Sequence, residues 1–225
     1  MISIVLPVHD QADHVERVVS DCESALPRVN HPYELILVPN GCRDASEDLC
    51  AALAGRFPAV RSRPAARAGW GHAVRHGLSE AGGDLLCYTN SARVNPPELV
   101  LVLLYALAYP EVVVKANRKI RESAFRRLGS LAFNLECRAL FDLATWDING
   151  TPKVFPRSFS RLLDLTRDDD LIDTEFAIVC RRAGYPVIEV PVISTRRYGG
   201  RSTTSLRTAG RLFTGAFRMW RAARP

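Results

Sequence analysis

The sequence predicts an α/β fold, a three-layer α/β/α arrangement on a mostly parallel sheet. Three observations carry this expectation. Short apolar runs rich in β-branched residues recur without polar alternation, the pattern of parallel strands covered on both faces. Segments with apolar residues at helical spacing follow them, opened by acidic or amide residues suited to capping. The 225 residues, 47% of them hydrophobic, are enough for one substantial core, so residues 1–225 are read as a single domain.

Ile2–Val8 is the first strand. In the helix after it, Asp13 is the expected cap with Glu16 three residues on, and Val15, Val18, Val19, Cys22 and Leu26 form the apolar stripe. Tyr33–Val38 reads as a second buried strand, and Asp44 with Glu47 repeats the capping pattern before Leu49 and Leu53. A helix through Ala73, Val74 and Leu78 leads to a third strand at Asp84–Thr89. Asn95, Pro96 and Glu98 open a helix that runs to about Ala108, and Glu111–Lys115 is a fourth strand candidate. Val154 and Phe155 suggest a further strand, Phe176, Ile178 and Val179 a helix, and 203–225 a basic amphipathic C-terminal helix.

No run of about 18 apolar residues occurs and the first residues lack a signal-peptide pattern, so a soluble, cytoplasmic protein is expected. The six cysteines contain no C-x-x-C pair and are read as reduced and structural. The net charge of +6 is local: Val190 to Pro225 holds eight arginines and no acidic residue. That distribution points to an anionic partner at the tail and not to nucleic acid.

In such sheets ligands sit beyond the carboxyl ends of the strands. The first strand ends in Leu6-Pro7-Val8-His9-Asp10 and the second in Val38-Pro39-Asn40-Gly41-Cys42-Arg43-Asp44, placing both polar loops at that edge. Neither holds G-x-G-x-x-G, and G-x-x-x-x-G-K-[ST] is absent, which removes the main support for dinucleotide and P-loop readings. His72 and His76 are only a weak metal hint, and no Ser, His and Asp order suggests a hydrolase.

The order of those two loops, then Ala68-Gly69-Trp70-Gly71-His72-Ala73, Asp147-Ile148-Asn149-Gly150-Thr151-Pro152-Lys153 and Glu189-Val190-Pro191-Val192, resembles family 2 glycosyltransferases. The likeness runs from Ile2 to about Ser202 and is similar to dolichyl-phosphate mannosyltransferase and other polyprenyl-phosphate sugar transferases. It implies the GT-A fold and transfer, with inversion, from a UDP- or GDP-sugar to a polyprenyl phosphate or to a hydroxyl of a glycan or small molecule. It also implies that Pro7, Val8 and Asp10 line the nucleoside pocket, and that Asn40 stands where an acidic base or ribose contact is usual. Gly69 and Gly71 would let the backbone approach the nucleotide, Asp147 would contact the sugar, and Lys153 a phosphate. Asp173 or Glu175 would be the base for a hydroxyl acceptor, though Asp173 is equally placed to be a plain helix cap. Asp168-Asp169-Asp170 reads as a solvated loop.

The departure lies after the third strand. The resemblance implies an Asp-x-Asp that binds Mg²⁺ or Mn²⁺, but the segment here is Tyr88-Thr89-Asn90-Ser91-Ala92-Arg93, with no carboxylate. Hard divalent cations favour carboxylate oxygens, so no metal ligand set is assigned. One substitute is cationic: Lys115, Arg118, Lys119 and Arg121 follow the fourth strand and would offset the charge of a leaving nucleoside diphosphate. Another is a metal held by Asp147, Asp173 or Glu175 with Asn90 assisting, Asn90 and Ser91 being otherwise counted among the nucleotide-sugar contacts. A catalytically silent relative acting as a binding or scaffold protein is the alternative reading.

Thr195 to Ser202 resembles the acceptor loop of the polyprenyl-phosphate enzymes, which makes Arg196, Arg197, Arg201 and Ser202 candidates to grip phosphate. In the C-terminal helix Leu206, Ala209, Leu212, Phe213, Ala216, Phe217 and Trp220 share a face. That face could rest on an anionic bilayer, making the protein peripheral to the membrane, or pack on the domain or on a second subunit of a homodimer.

Overall fold

The computed structural model describes residues 1–120, 124–193, 197–199 and 206–222. Seven strands form one sheet: β1 (Ile2–Val8), β2 (Tyr33–Pro39), β3 (Val60–Ser62), β4 (Leu85–Tyr88), β5 (Val113–Ile120), β6 (Lys153–Pro156) and β7 (Val187–Ile193). Their order across the sheet is β3-β2-β1-β4-β6-β5-β7. Every neighbouring pair is parallel except those made by β6, which runs antiparallel to both β4 and β5. The α/β class and the mostly parallel sheet expected from the unalternated apolar runs are therefore present.

Among the described residues, seven helices accompany the sheet: α1 (Val15–Ala25), α2 (Ser46–Arg56), α3 (Trp70–Glu80), α4 (Pro96–Ala108), α5 (Ala124–Phe141), α6 (Ile172–Ala183) and α7 (Leu206–Ala222). Strand β1 explains the layering. Ile4, Leu6 and Val8 pack with Val15, Val18, Val19 and Cys22 of α1 and Leu99 and Leu103 of α4 on one side. Val5 packs with Val74 and Leu78 of α3 and Phe176 of α6 on the other. All seven β1 residues are buried, as successive side chains pointing to opposite faces require when both faces are covered. Each large aliphatic side chain so buried contributes about 1.5–3 kcal/mol. A third cluster joins Phe133 and Cys137 of α5, Leu171 and Ala177 beside or in α6, and Ala216 of α7.

Several boundaries differ from the sequence reading. Helix α1 has His14 at its N-cap with no side-chain cap, because the Asp13 carboxylate is hydrogen-bonded to His14 Nδ1 at 2.5 Å. Ala45 is the N-cap of α2, and Asp44 instead accepts the Ser46 amide at 3.0 Å. Strand β5 reaches Ile120, beyond the expected Lys115, because parallel pairing with β7 continues past the apolar run. Strand β3, three residues long with only Val60 buried, left too little pattern to be expected.

Candidate active site

The chain builds outward from β1 to β2 and β3, then crosses to β4 on the other side, so the strand order reverses between β1 and β4. A crevice outside the carboxyl ends of these strands is where ligands bind in open α/β sheets. Pro7, Val8 and Asp10 lie at the β1 rim and Asn90 and Ser91 at the β4 rim.

Asn40 ties the rim together. Its Nδ2 donates to Val8 O at 2.8 Å and Val38 O at 3.2 Å, and its Oδ1 accepts the Gly69 amide at 3.2 Å. Both donors and the acceptor of this buried side chain are thus committed, to the end of β1, to β2 itself and to the loop before α3. An aspartate, the residue the resemblance implied here, has no N–H and would turn acceptors toward two carbonyls. The adjoining loops are stitched in the same manner. Asp44 accepts the Ala12 amide at 2.9 Å, and Ser46 Oγ accepts the Gln11 amide at 2.7 Å. Burial pushes the Asp44 carboxyl up, but hydrogen bonds from the Ser46 side chain and from backbone amides hold it below the ordinary aspartate range. Asp10 is in the left-handed region at φ 48° and accepts the Arg43 amide at 2.7 Å.

Gly69 and Gly71 do permit a close approach, but by another part of this chain. A Cβ at Gly71 would lie 2.3 Å from Arg167 O and 2.8 Å from Asp169 O, and one at Gly69 would lie 2.6 Å from Asp168 O. The acidic loop is accordingly no free solvated turn. The Asp168 carboxylate is paired with Arg75 at 2.7 Å and Arg67 at 3.1 Å, and its carbonyl accepts the His72 amide.

Three ion pairs line the β5–β6–β7 side. Lys153 pairs with Asp173, whose carboxylate also accepts Tyr88 OH at 2.9 Å and Trp70 Nε1 at 3.2 Å. Asp173 lies inside the first turn of α6, whose N-cap is Leu171, so the cap reading falls: its carboxylate is drawn to the fully buried ammonium. Burial pulls the Lys153 ammonium down to about 8, against the charge of Asp173 and aided by that of Lys115. Lys115 pairs with Glu189 at 2.9 Å. Arg118 grips Asp147 bidentately, Nε to Oδ2 at 2.7 Å and Nη2 to Oδ1 at 2.8 Å. Burial would raise the Glu189 carboxyl, but Lys115 and the amides of Trp146 and Asp147 hold it below the ordinary range. Glu175 faces elsewhere and accepts the Thr166 amide, the Thr166 hydroxyl at 2.7 Å and the Arg167 amide at 2.9 Å.

Of the cations and carboxylates named in the sequence, Arg118 with Asp147 and Lys153 with Asp173 are therefore brought together as partners of one another, and Lys115 meets Glu189. Lys115, Arg118 and Lys153 are matched by Glu189, Asp147 and Asp173, which leaves the set electrically balanced and not cationic. Nor do the residues after β4 fit a hard divalent cation. Ser91 Oγ donates to Pro7 O at 2.5 Å and lies 2.9 Å from Gln11 Oε1, and no carboxylate adjoins it in the 89–93 segment. Arg197 is described, with Nε donating to Gly199 O at 3.1 Å, whereas Arg121, Arg196, Arg201 and Ser202 lie outside the described residues.

Glu189, Tyr88, Trp70 and Gln11 complete the site without having been singled out. The signal for Glu189 was present: an acidic residue within an otherwise apolar strand is rarely buried unless paired. The partners of Tyr88 and Trp70, more than eighty residues away in the chain, carry no local pattern.

The pattern defining glycosyl transferase family 2 matches residues 3–165. An undecaprenyl-phosphate 4-deoxy-4-formamido-L-arabinose transferase of Pseudomonas fluorescens Pf-5 is 30% identical over 162 residues, covering 70% of this chain and 47% of that one. Its counterpart in strain Pf0-1 is 28% identical over 209 residues, covering 91% and 60%. The chain thus spans about half the length of the curated relatives it matches. Among solved structures, glucosyl-3-phosphoglycerate synthase from Mycobacterium tuberculosis, in complex with Mn²⁺, UDP and glucosyl-3-phosphoglycerate, superposes with a TM-score of 0.73 at 20% identity, covering 100% of this chain and 81% of that one. At that identity the likeness establishes the fold, the GT-A arrangement. With that fold under it and the defining pattern across most of its length, the chain belongs to glycosyl transferase family 2.

Proposed function

We propose that this protein transfers a sugar from a nucleoside-diphosphate donor, with the nucleoside in the β1–β4 crevice and the acceptor toward β5, β6 and β7. What carries the reading is the polar rim at the point of strand reversal, where Asn40 ties the ends of β1 and β2 to the loop before α3 beside a crevice in a family 2 chain. The similarity to transferases named for undecaprenyl phosphate supports a polyprenyl-phosphate acceptor. A phosphate acceptor is already anionic and needs no carboxylate base, which suits a site whose Asp147 and Asp173 are both ion-paired. Of the three cations, Arg118 has a side chain 22% exposed against 3% for Lys115 and none for Lys153, so it is the one a diphosphate can share with Asp147. In this reading Arg118 contributes to stabilising the leaving group.

Isothermal titration with UDP- and GDP-sugars is expected to give saturable binding to one class of donor, retained in EDTA. No binding across the panel overturns the reading. The three closed ion pairs favour a second one, a silent family member that keeps the fold for binding alone; detectable sugar transfer eliminates it.

Membrane contact is proposed through α5 and not through α7. Much of the apolar face of α7 is used against the protein, where Phe213 packs edge-on to Phe133 at 5.5 Å and Ala216 is fully buried, leaving Phe217 as its one exposed large apolar side chain among the described residues, at 45%. On α5, Leu128, Leu131 and Leu135 are 66%, 54% and 63% exposed at helical spacing. No described helix is long and apolar enough to cross a membrane. Co-sedimentation with anionic phospholipid vesicles is expected to fall at least about tenfold in Leu131→Asp, and unchanged binding sinks this assignment.

A further inference from the structure

At the rim of the proposed donor crevice, the loops after β1 and β2 bring an imidazole, a carboxylate and a thiol together: the ligand atoms of His9, Asp10 and Cys42 all lie within 4.8 Å of one another. We propose that these three side chains form a binding site for a borderline-soft divalent cation of the zinc class, at the mouth of the crevice and separate from the segment after β4.

The donor set fits that chemistry. Nitrogen, sulfur and oxygen ligands suit Zn²⁺ or Co²⁺, whereas Mg²⁺ and Ca²⁺ favour an all-oxygen shell. With metal–ligand distances of about 2.0–2.3 Å, tetrahedral edges are near 3.3–3.8 Å, so these atoms need to close by about 1 Å. Rotation of exposed side chains supplies that, for His9 and Asp10 are exposed and Cys42 is half-buried. The orientation of His9 is an independent pointer. Its Nδ1 lies 2.7 Å from Asn40 O, and a carbonyl can only accept, so Nδ1 carries a proton and, in the neutral ring, Nε2 is the nitrogen with the lone pair. A histidine that donates one ring N–H to a carbonyl while presenting the other nitrogen is the arrangement metal-ligating histidines adopt. Nε2 faces Asp10 Oδ2 at 3.8 Å, and the Arg43 amide bonded to Oδ1 at 2.7 Å holds that carboxylate in place. Cys42 Sγ lies 3.5 Å from Val8 O, next to the same strand end. Three protein ligands leave a fourth position for water. Binding releases the Cys42 thiol proton to solvent, and no redox change is involved.

Cobalt(II) added to the full chain tests this, because the other five cysteines are buried and a sulfur-to-cobalt charge-transfer band would report Cys42. The expected result is a band saturating at one equivalent, displaced by Zn²⁺, absent in Cys42→Ser and shifted to at least about tenfold weaker affinity in His9→Gln. No stoichiometric band, or a band that persists in Cys42→Ser, overturns the proposal. In the unaltered protein, one equivalent of Zn²⁺ is expected to slow alkylation of Cys42 by iodoacetamide, and an unchanged rate overturns it as well. Neither measurement requires a sugar nucleotide, so failure here and failure of the transferase reading are told apart.

Discussion

Asp173→Asn is expected to lower the unfolding free energy by about 3–5 kcal/mol, as breaking one side of a buried ion pair does. The amide cannot balance the ammonium of Lys153, which is fully buried, and it offers Tyr88 and Trp70 a weaker acceptor. The sign of the pH dependence follows from the lysine. Its ammonium is already pulled down to about 8 by burial, and loss of Asp173 lowers it further. The unfolded variant then binds a proton that the folded variant has lost, so the variant gains stability as pH rises toward 8, whereas the parent, still mostly protonated at Lys153, gains little until the pH nears 8. Urea unfolding between pH 6 and 8 should therefore show the gap narrowing, and a constant or widening gap would falsify the assignment. Pairing Asp173→Leu with Lys153→Met should recover much of the stability, because replacing both members of a buried pair with apolar groups is often neutral. If the Lys153–Asp173 pair only holds the site together, that double variant also recovers activity; a stable but inactive one would show that the pair itself serves the reaction.

Gly71→Ala is expected to destabilise by about 3 kcal/mol, at the upper end of overpacking costs. The added methyl meets the carbonyls of Arg167 and Asp169, both backbone, so no side-chain rotation relieves the contact. Moving the 167–169 segment also disturbs the pairs from Asp168 to Arg67 and Arg75 and the Glu175 bonds to Thr166 and Arg167. Hydrogen exchange should show lost protection at the His72 amide, which donates to Asp168 O. A variant with the parent's stability and His72 protection would mean that this packing is not what the glycine serves.

These two positions also mark how far the sequence could be read. The strands came through because a short, unalternated run of β-branched residues between turn residues suits a strand covered on both faces, and the loops at their ends because turn residues are local signals. The order of those loops pointed to the family. The role of each charge was less legible. Lys115, Lys153, Asp147 and Asp173 were named, yet as groups facing substrate or, for Asp173, a helix cap, since nothing local tells a buried pair from two exposed charges. Lys153 and Asp173 are twenty residues apart and meet only because β6 reverses direction and α6 starts beneath it. The glycines illustrate the same limit, for their need of space was evident while the identity of the neighbour depended on a segment about a hundred residues downstream.

Strands β5 and β6 lie side by side with Lys115 opposite Lys153, so the described residues 124–152 lie outside the sheet and the chain returns beside the strand it left. Such an excursion is a cassette: it can lengthen, shorten or exchange its helix without shifting the register of any other strand. Divergence among relatives with different acceptors should concentrate there, while the β1–β4 half stays constant.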